Sequence, residues 1–237
     1  MFEVASAQEL SLAARGVLGL SVWLTYTADR LLDVRGRPFD QLLSVRHRFT
    51  KDHSTTLWKF WFCVLIVNSS IAFIGLTTDQ LINGALLLVF CLLYTGLNQK
   101  LSRHFFPKEP CIAFIYVAGV IVFLHPVYEL LPSIGALTLL CLINCLIISN
   151  KEYSIDTAMQ INSLAKHLPQ IPYVLYVVCL SILLLFDGQM FTPLILSTIA
   201  LLSVHLFHHR LSVESFRVLA DAALLVGPLA YLLAACL

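Results

Sequence analysis

The chain has 237 residues, 59% of them hydrophobic and only 12% charged, with a formal net charge of +1. A soluble domain carries about 25% charged residues, so this composition and the mean hydropathy of +0.85 predict a membrane protein. The near-balanced charge gives no electrostatic footprint for a nucleic-acid partner.

The first ten residues carry Glu3 and Glu9 where a cleavable signal would need basic residues, so none is expected. A spanning helix needs roughly 20 mostly apolar residues. Eight stretches qualify as candidate spans: about 11–32, 57–76, 79–97, 111–130, 132–149, 170–186, 190–207 and 216–236. The expected fold is all-α: a polytopic bundle of about eight transmembrane helices around a central cavity. A single domain over 1–237 is expected, in two four-helix halves, about 1–130 and 131–237. His125-Pro126 and Gly227-Pro228 are expected to kink or end helices, with neighbouring helices satisfying the freed carbonyls. The seven cysteines sit inside apolar runs without metal-type spacing and read as small buried hydrophobes, not disulfide partners.

The connections alternate short and long. "TTD", "LP" and "FDGQ" lie on one side, and 34–56, 98–110, 150–169 and 208–215 on the other. Fourteen of the fifteen Lys and Arg residues flank or fill the long loops, Arg15 being the exception. Basic residues near short loops stay in the cytoplasm, so the long loops are expected there and both termini outside. A multi-pass protein of a bacterial inner membrane fits. The long loops lack low-complexity runs and read as ordered.

The first span ends in "WLTYTADRLLDVRGRPFD", with Asp29 and Asp33 one turn apart. The fifth ends in "CLINCLIISNKEYSIDTA", with Glu152 and Asp156 at the same spacing. Residues four apart share a helix face. Two carboxylates so placed repel by a few tenths of a kcal/mol, and the negative end of the helix dipole costs each about 0.3–1 kcal/mol more. A divalent cation would reverse the sign of each term. Carboxylates combined with substrate phosphates suit Mg²⁺. Spans one and five run in the same direction, so both acidic turns are expected at the cytoplasmic surface. Solvated charge at helix ends is the plain alternative.

These residues resemble the UbiA prenyltransferase superfamily. The likeness rests on "YTADRLLD" after a hydrophobic helix, on "NKEYSID" near mid-chain and on "YTGLNQKLSRHFFPKEP" between them, in order over most of the chain. The resemblance implies helices around a cavity capped by two Asp-rich motifs, usually nine helices where this chain has eight candidates. The family's first motif usually reads N-D-x-x-D-x-x-x-D. Asp29 and Asp33 match its last two acids, with Thr25 and Tyr26 where Asn and Asp are expected. The second usually reads D-x-x-x-D-x-x-x-D. Glu152 and Asp156 match its last two acids, and Ile148 stands at the first.

The implied activity is Mg²⁺-dependent transfer of an isoprenoid chain from a prenyl diphosphate to an aromatic or similar small acceptor. The implied metal and catalytic residues are Asp29, Asp33, Glu152 and Asp156. Substrate-binding candidates are Tyr26, Tyr94 and Tyr153, which offer π surfaces to an allylic cation, with Arg37, Lys100, Arg103, Lys108 and Lys151 for the diphosphate; Tyr116 is a further aromatic of that kind. Topology-setting charge is the alternative for these cations. Two other functions stay open: a catalytically impaired relative, which the missing leading acids favour, and an ion-coupled transporter, which would favour acids near the bilayer midplane.

Other signals are discounted. "HLFHH" gives His205, His208 and His209 a spacing that can bind metal, but no acid or cysteine adjoins it. "RHRF" at 46–49, with His53, is a basic loop that covers the cavity or meets anionic headgroups. Arg217 and Asp221 are expected to pair locally. Asn68 and Asn144 are expected to bond to neighbouring helices, and Arg15 to snorkel to the outer interface.

Overall fold

A computed structural model describes residues 10–36, 38–39, 45–101, 107–124, 130–158, 164, 170–185 and 191–236, without the side chains of Gln99, Leu101, Asp156, Ala158, Ala235 and Cys236. Among the described residues the chain is all-helical: ten α-helices, one 3₁₀ turn and no strand. They are α1 (Leu12–Asp33), α2 (Val45–Asp52), α3 (Ser54–Gly75), α4 (Thr78–Leu101), α5 (Lys108–Ile121), α6 (Leu131–Lys151), α7 (Tyr153–Ala158), α8 (Ile171–Leu185), α9 (Phe191–Leu206) and α10 (Val213–Cys236), with the 3₁₀ turn at His208–Arg210. Four of them, α3, α4, α6 and α10, are long and apolar enough to cross a membrane, which marks a membrane protein. Helices α8 and α9 are apolar but shorter. Helix α1 has the length, yet Arg15 and the polar run Thr25–Tyr26–Thr27–Asp29 dilute its hydropathy.

Several starts follow from local chemistry. Ser11 caps α1, its hydroxyl accepting from the Ala14 amide at 3.1 Å. Thr77 and Gln80 cap α4 reciprocally: the Thr77 amide donates to Gln80 Oε1 at 3.1 Å, and the Gln80 amide to Thr77 Oγ1 at 3.3 Å. This is the capping box written in "TTDQ". Ser212 accepts from the Ser215 amide at 3.1 Å before α10. The loops expected at 34–56 and 150–169 contain the short helices α2 and α7.

The chain divides into two units, chiefly 10–104 and 105–237. In the second of these, α5 packs on α6: Ala113 and Val117 form a buried cluster with Cys141.

In the N-terminal unit α1 packs against α3. The indole N–H of Trp61 donates to the Leu24 carbonyl at 2.8 Å, and Asn68 Nδ2 donates to Ser21 Oγ at 3.0 Å. Asn68 thus bonds to a neighbouring helix, as expected. Phe73 and Ile74 on α3 are exposed, and α4 presents Leu86, Leu88 and Phe90 outward. Apolar exposure of this extent suits a lipid solvent rather than water.

In the C-terminal unit the core is Leu140, Ile143 and Ile147 of α6, Cys179 of α8, Leu194 and Leu201 of α9, and Phe216 and Ala220 of α10. Pro228 lies inside α10 and lacks the N–H that would bond the Leu224 carbonyl. Ser197 of α9 donates to that carbonyl at 3.1 Å and accepts from the Gly227 amide at 3.0 Å. A neighbouring helix therefore satisfies the freed group, as the sequence predicts. Only glycine fits at 227, where a Cβ would stand 1.9 Å from the Pro193 carbonyl oxygen. His125-Pro126 lies outside the described residues.

The described cysteines are free thiols. Cys141 and Cys179 are buried as expected, but Cys63 is exposed on the apolar face of α3, so that expectation is corrected for it. An apolar helix side facing lipid needs no protein cover.

Candidate functional site

Helix α1 ends on the first acidic turn. Asp33 is its last residue, and Asp29 lies one turn earlier, half-buried. Between them Arg30 reaches Asp33, with Nη1 3.6 Å from Oδ2 and both side chains 22% exposed. The Arg30 guanidinium also lies over the Tyr26 ring at 4.8 Å from its centroid. Arg46, from α2, lies within electrostatic reach of Tyr26, Arg30 and Asp33. Burial, and then the Arg30 charge, push the Arg46 guanidinium below its usual range. Arg46 Nε and Nη1 and Arg30 Nε are buried without a hydrogen-bond partner among the described residues. Two carboxylates, a phenol and two incompletely satisfied guanidiniums thus gather at one helix end. Such donors are costly to leave unpaired, and they suit an anion of several oxygens.

Beyond Asp33 the chain turns through Gly36, whose φ of +73° is a conformation that glycine adopts at little cost. The Lys51 ammonium donates to the Val34 carbonyl at 3.2 Å, fixing α2 against the end of α1. A cleft of about 480 Å³ opens here, lined by Leu31, Val34, Arg35, Gly36, Lys51, Ser54, Trp58 and Phe62.

The second acidic turn differs from expectation. Glu152 and Asp156 do not share one uninterrupted helix: α6 stops at Lys151, and α7 starts at Tyr153. Glu152 is the C-cap of α6, its amide donating to the Ile148 carbonyl at 2.9 Å and shared with the Asn150 carbonyl. Glu152 forms an ion pair with Arg217 of α10, the two side chains 15% and 13% exposed. Arg217 therefore reaches across to α6, and the local Arg217–Asp221 pair is corrected. Asp221 instead accepts from Asn144 Nδ2 at 2.9 Å, which joins α6 to α10 as expected of Asn144. Lys151 donates to the His208 carbonyl at 2.8 Å and lies 5.9 Å from the Phe216 ring.

Of the remaining candidates, Tyr94 is half-buried on α4 and Lys100 is exposed in its last turn. Lys108 opens α5, and Tyr153 is exposed. Arg37, Arg103 and the Asp156 side chain lie outside the described residues. His205 is buried and stacks on Tyr173 at 4.9 Å, which accounts for its place in the fold as packing. Arg15 is exposed near the start of α1.

No family model, no curated protein and no solved structure matches the chain.

Two residues of interest carry no obvious sequence signal. Arg46 looks like one of many loop cations; its only mark is the "RHRF" run. Glu109, in the first turn of α5, is 1% exposed. Its Oε2 accepts from the Leu164 amide at 3.2 Å. A single acid ahead of "PCIAF" was the available hint.

Proposed function

We propose that the protein is an integral membrane prenyltransferase that moves an isoprenoid chain from a prenyl diphosphate to an aromatic or similar small acceptor. One observation carries the reading beyond the motif resemblance. The end of α1 gathers Asp29, Asp33 and Tyr26 with the guanidiniums of Arg30 and Arg46, three of whose buried nitrogens lack a partner among the described residues. Hard carboxylate oxygens beside vacant guanidinium donors suit a diphosphate and its counter-cation.

The oxygen-donor chemistry fits Mg²⁺. Asp29 and Asp33 would supply carboxylate donors at the end of α1, and the motif resemblance names Glu152 and Asp156 as further ligands. Bound there, the metal supplies charge stabilisation for a departing diphosphate. Arg30 and Arg46 would share that task from fixed positions, where such charges act most strongly. Tyr26 would present its ring to the allylic cation left at C1. The acceptor's ring carbon would attack that cation and give up its ring proton to the departed diphosphate. The isoprenoid tail would enter sideways from the bilayer, between apolar helices. The α1 end would face the cytoplasm, in keeping with the loop cations.

A second reading has its own support. Arg217 already neutralises Glu152, and Arg30 lies on Asp33, so two of the four carboxylates have protein cations in place of a metal. That arrangement favours a relative that binds diphosphate lipids without turning them over.

The test is a screen of purified protein against prenyl diphosphates of several lengths and a panel of aromatic acceptors, with and without Mg²⁺. Prenylated acceptor formed only with Mg²⁺ supports the transferase. Mg²⁺-dependent retention of the diphosphate lipid without product selects the second reading.

A further inference from the structure

The cleft beyond α1 is amphipathic in a specific order. Its floor is Leu31 and Val34, each 1% exposed. One wall is Trp58 and Phe62, four apart on α3, with ring centroids 6.0 Å apart. Its cations, Arg35 and Lys51, and the Ser54 hydroxyl complete the lining. Lys51 is held there by the single bond to the Val34 carbonyl, which uses one of its three N–H donors. The volume of about 480 Å³ far exceeds a lone ion and falls in the range of small-ligand pockets.

We propose that this cleft seats the headgroup of an anionic membrane phospholipid. Three features argue for that occupant. Ser54 begins α3, a helix long and apolar enough to cross a membrane, and Trp58 lies one turn further in. Trp58, Trp61 and Phe62 cluster there, at the depth where aromatic belts meet headgroups. Charge complementarity supplies the second argument: Arg35 and Lys51 match one phosphodiester, with Ser54 as a further donor. The third is direction. Trp58 and Phe62 follow one face of α3 away from the cations, so an acyl chain leaving the phosphate runs along apolar wall into the bilayer. The inference needs neither Mg²⁺ nor the acidic turns, and so stands apart from the transferase reading.

The experiment is native mass spectrometry of the full chain, released from a micelle holding equal phosphatidylglycerol and phosphatidylcholine, in EDTA and without prenyl substrate. Wild-type protein should retain phosphatidylglycerol in preference. Arg35→Gln and Lys51→Gln should each reduce that preference about fivefold, the effect of roughly one near-surface cation. Arg35 is exposed, so its variant tests the site even where Lys51→Gln disturbs the fold. Lys59→Gln removes an exposed α3 cation outside the cleft and should change nothing. Three results would overturn the proposal. One is no preference in wild-type protein. Another is an equal loss in Lys59→Gln, which would mean diffuse attraction only. The last is displacement of the lipid by an added prenyl diphosphate in EDTA, which would assign the cleft to the donor.

Discussion

Arg217 on α10 forms an ion pair with Glu152, the residue that closes α6, 65 positions earlier in the chain. Both side chains are mostly withdrawn from solvent, so removing Arg217 takes the cation from a largely buried Glu152 carboxylate. Arg217→Gln is expected to cost about 3 kcal/mol, in the range for a broken buried pair. The double variant Glu152→Gln/Arg217→Gln should recover most of that loss. Thermal midpoints in a mild detergent measure both. A double variant no better than Arg217→Gln would contradict the pairing.

Ser197 holds the Pro228 kink together by serving the Leu224 carbonyl and the Gly227 amide at once. Ser197→Ala should destabilise by about 1–3 kcal/mol, the cost of a stranded buried polar group. Gly227→Ala should be worse, because the added methyl meets backbone of α9 that cannot swing aside. Size-exclusion profiles and melting curves would show it. A wild-type profile for Gly227→Ala would mean that α9 and α10 are further apart.

Asn68 and Ser21 bond between α1 and α3, but such a bond inside a membrane protein contributes modestly. Asn68 Oδ1 is also buried without a partner, so replacement removes a liability along with the bond. Asn68→Leu should therefore shift stability by less than about 1 kcal/mol. A large loss would assign Asn68 more than helix packing.

Glu109 ties the start of α5 to the amide of Leu164. Glu109→Ala should raise deuterium uptake at that amide, whereas Glu109→Gln, which keeps an acceptor oxygen, should leave it nearly protected. Equal uptake in wild type and Glu109→Ala would deny the clip.

What could be read in advance follows from the range of each signal. Composition and apolar runs report membrane helices because each run is contiguous, and α3, α4, α6 and α10 fall on four predicted spans. The Gly227-Pro228 pair was legible because a proline acts on its own helix within four residues. The Glu152–Arg217 pair was not: it crosses between helices with no periodicity to announce it, and the nearer Asp221 looked the natural partner of Arg217. The break at Glu152 was hidden for a similar reason, since "NKEYSID" holds neither glycine nor proline. Arg46 was legible as a cation but not as a neighbour of Tyr26, because α2 must fold back on α1 to bring it there. The first acidic turn read correctly as a helix end because Asp29 and Asp33 lie within one continuous helix.

Under the proposed function, the carboxylates at the end of α1 serve a diphosphate. The most direct measurement is Mg²⁺-dependent release of diphosphate from a prenyl diphosphate and aromatic acceptor, wild type beside Asp33→Asn. Wild-type release should be abolished by EDTA, and Asp33→Asn should lower it on the order of 10²-fold, as for loss of a group that stabilises transition-state charge. Undiminished release by Asp33→Asn, or equal release in EDTA, would contradict that role.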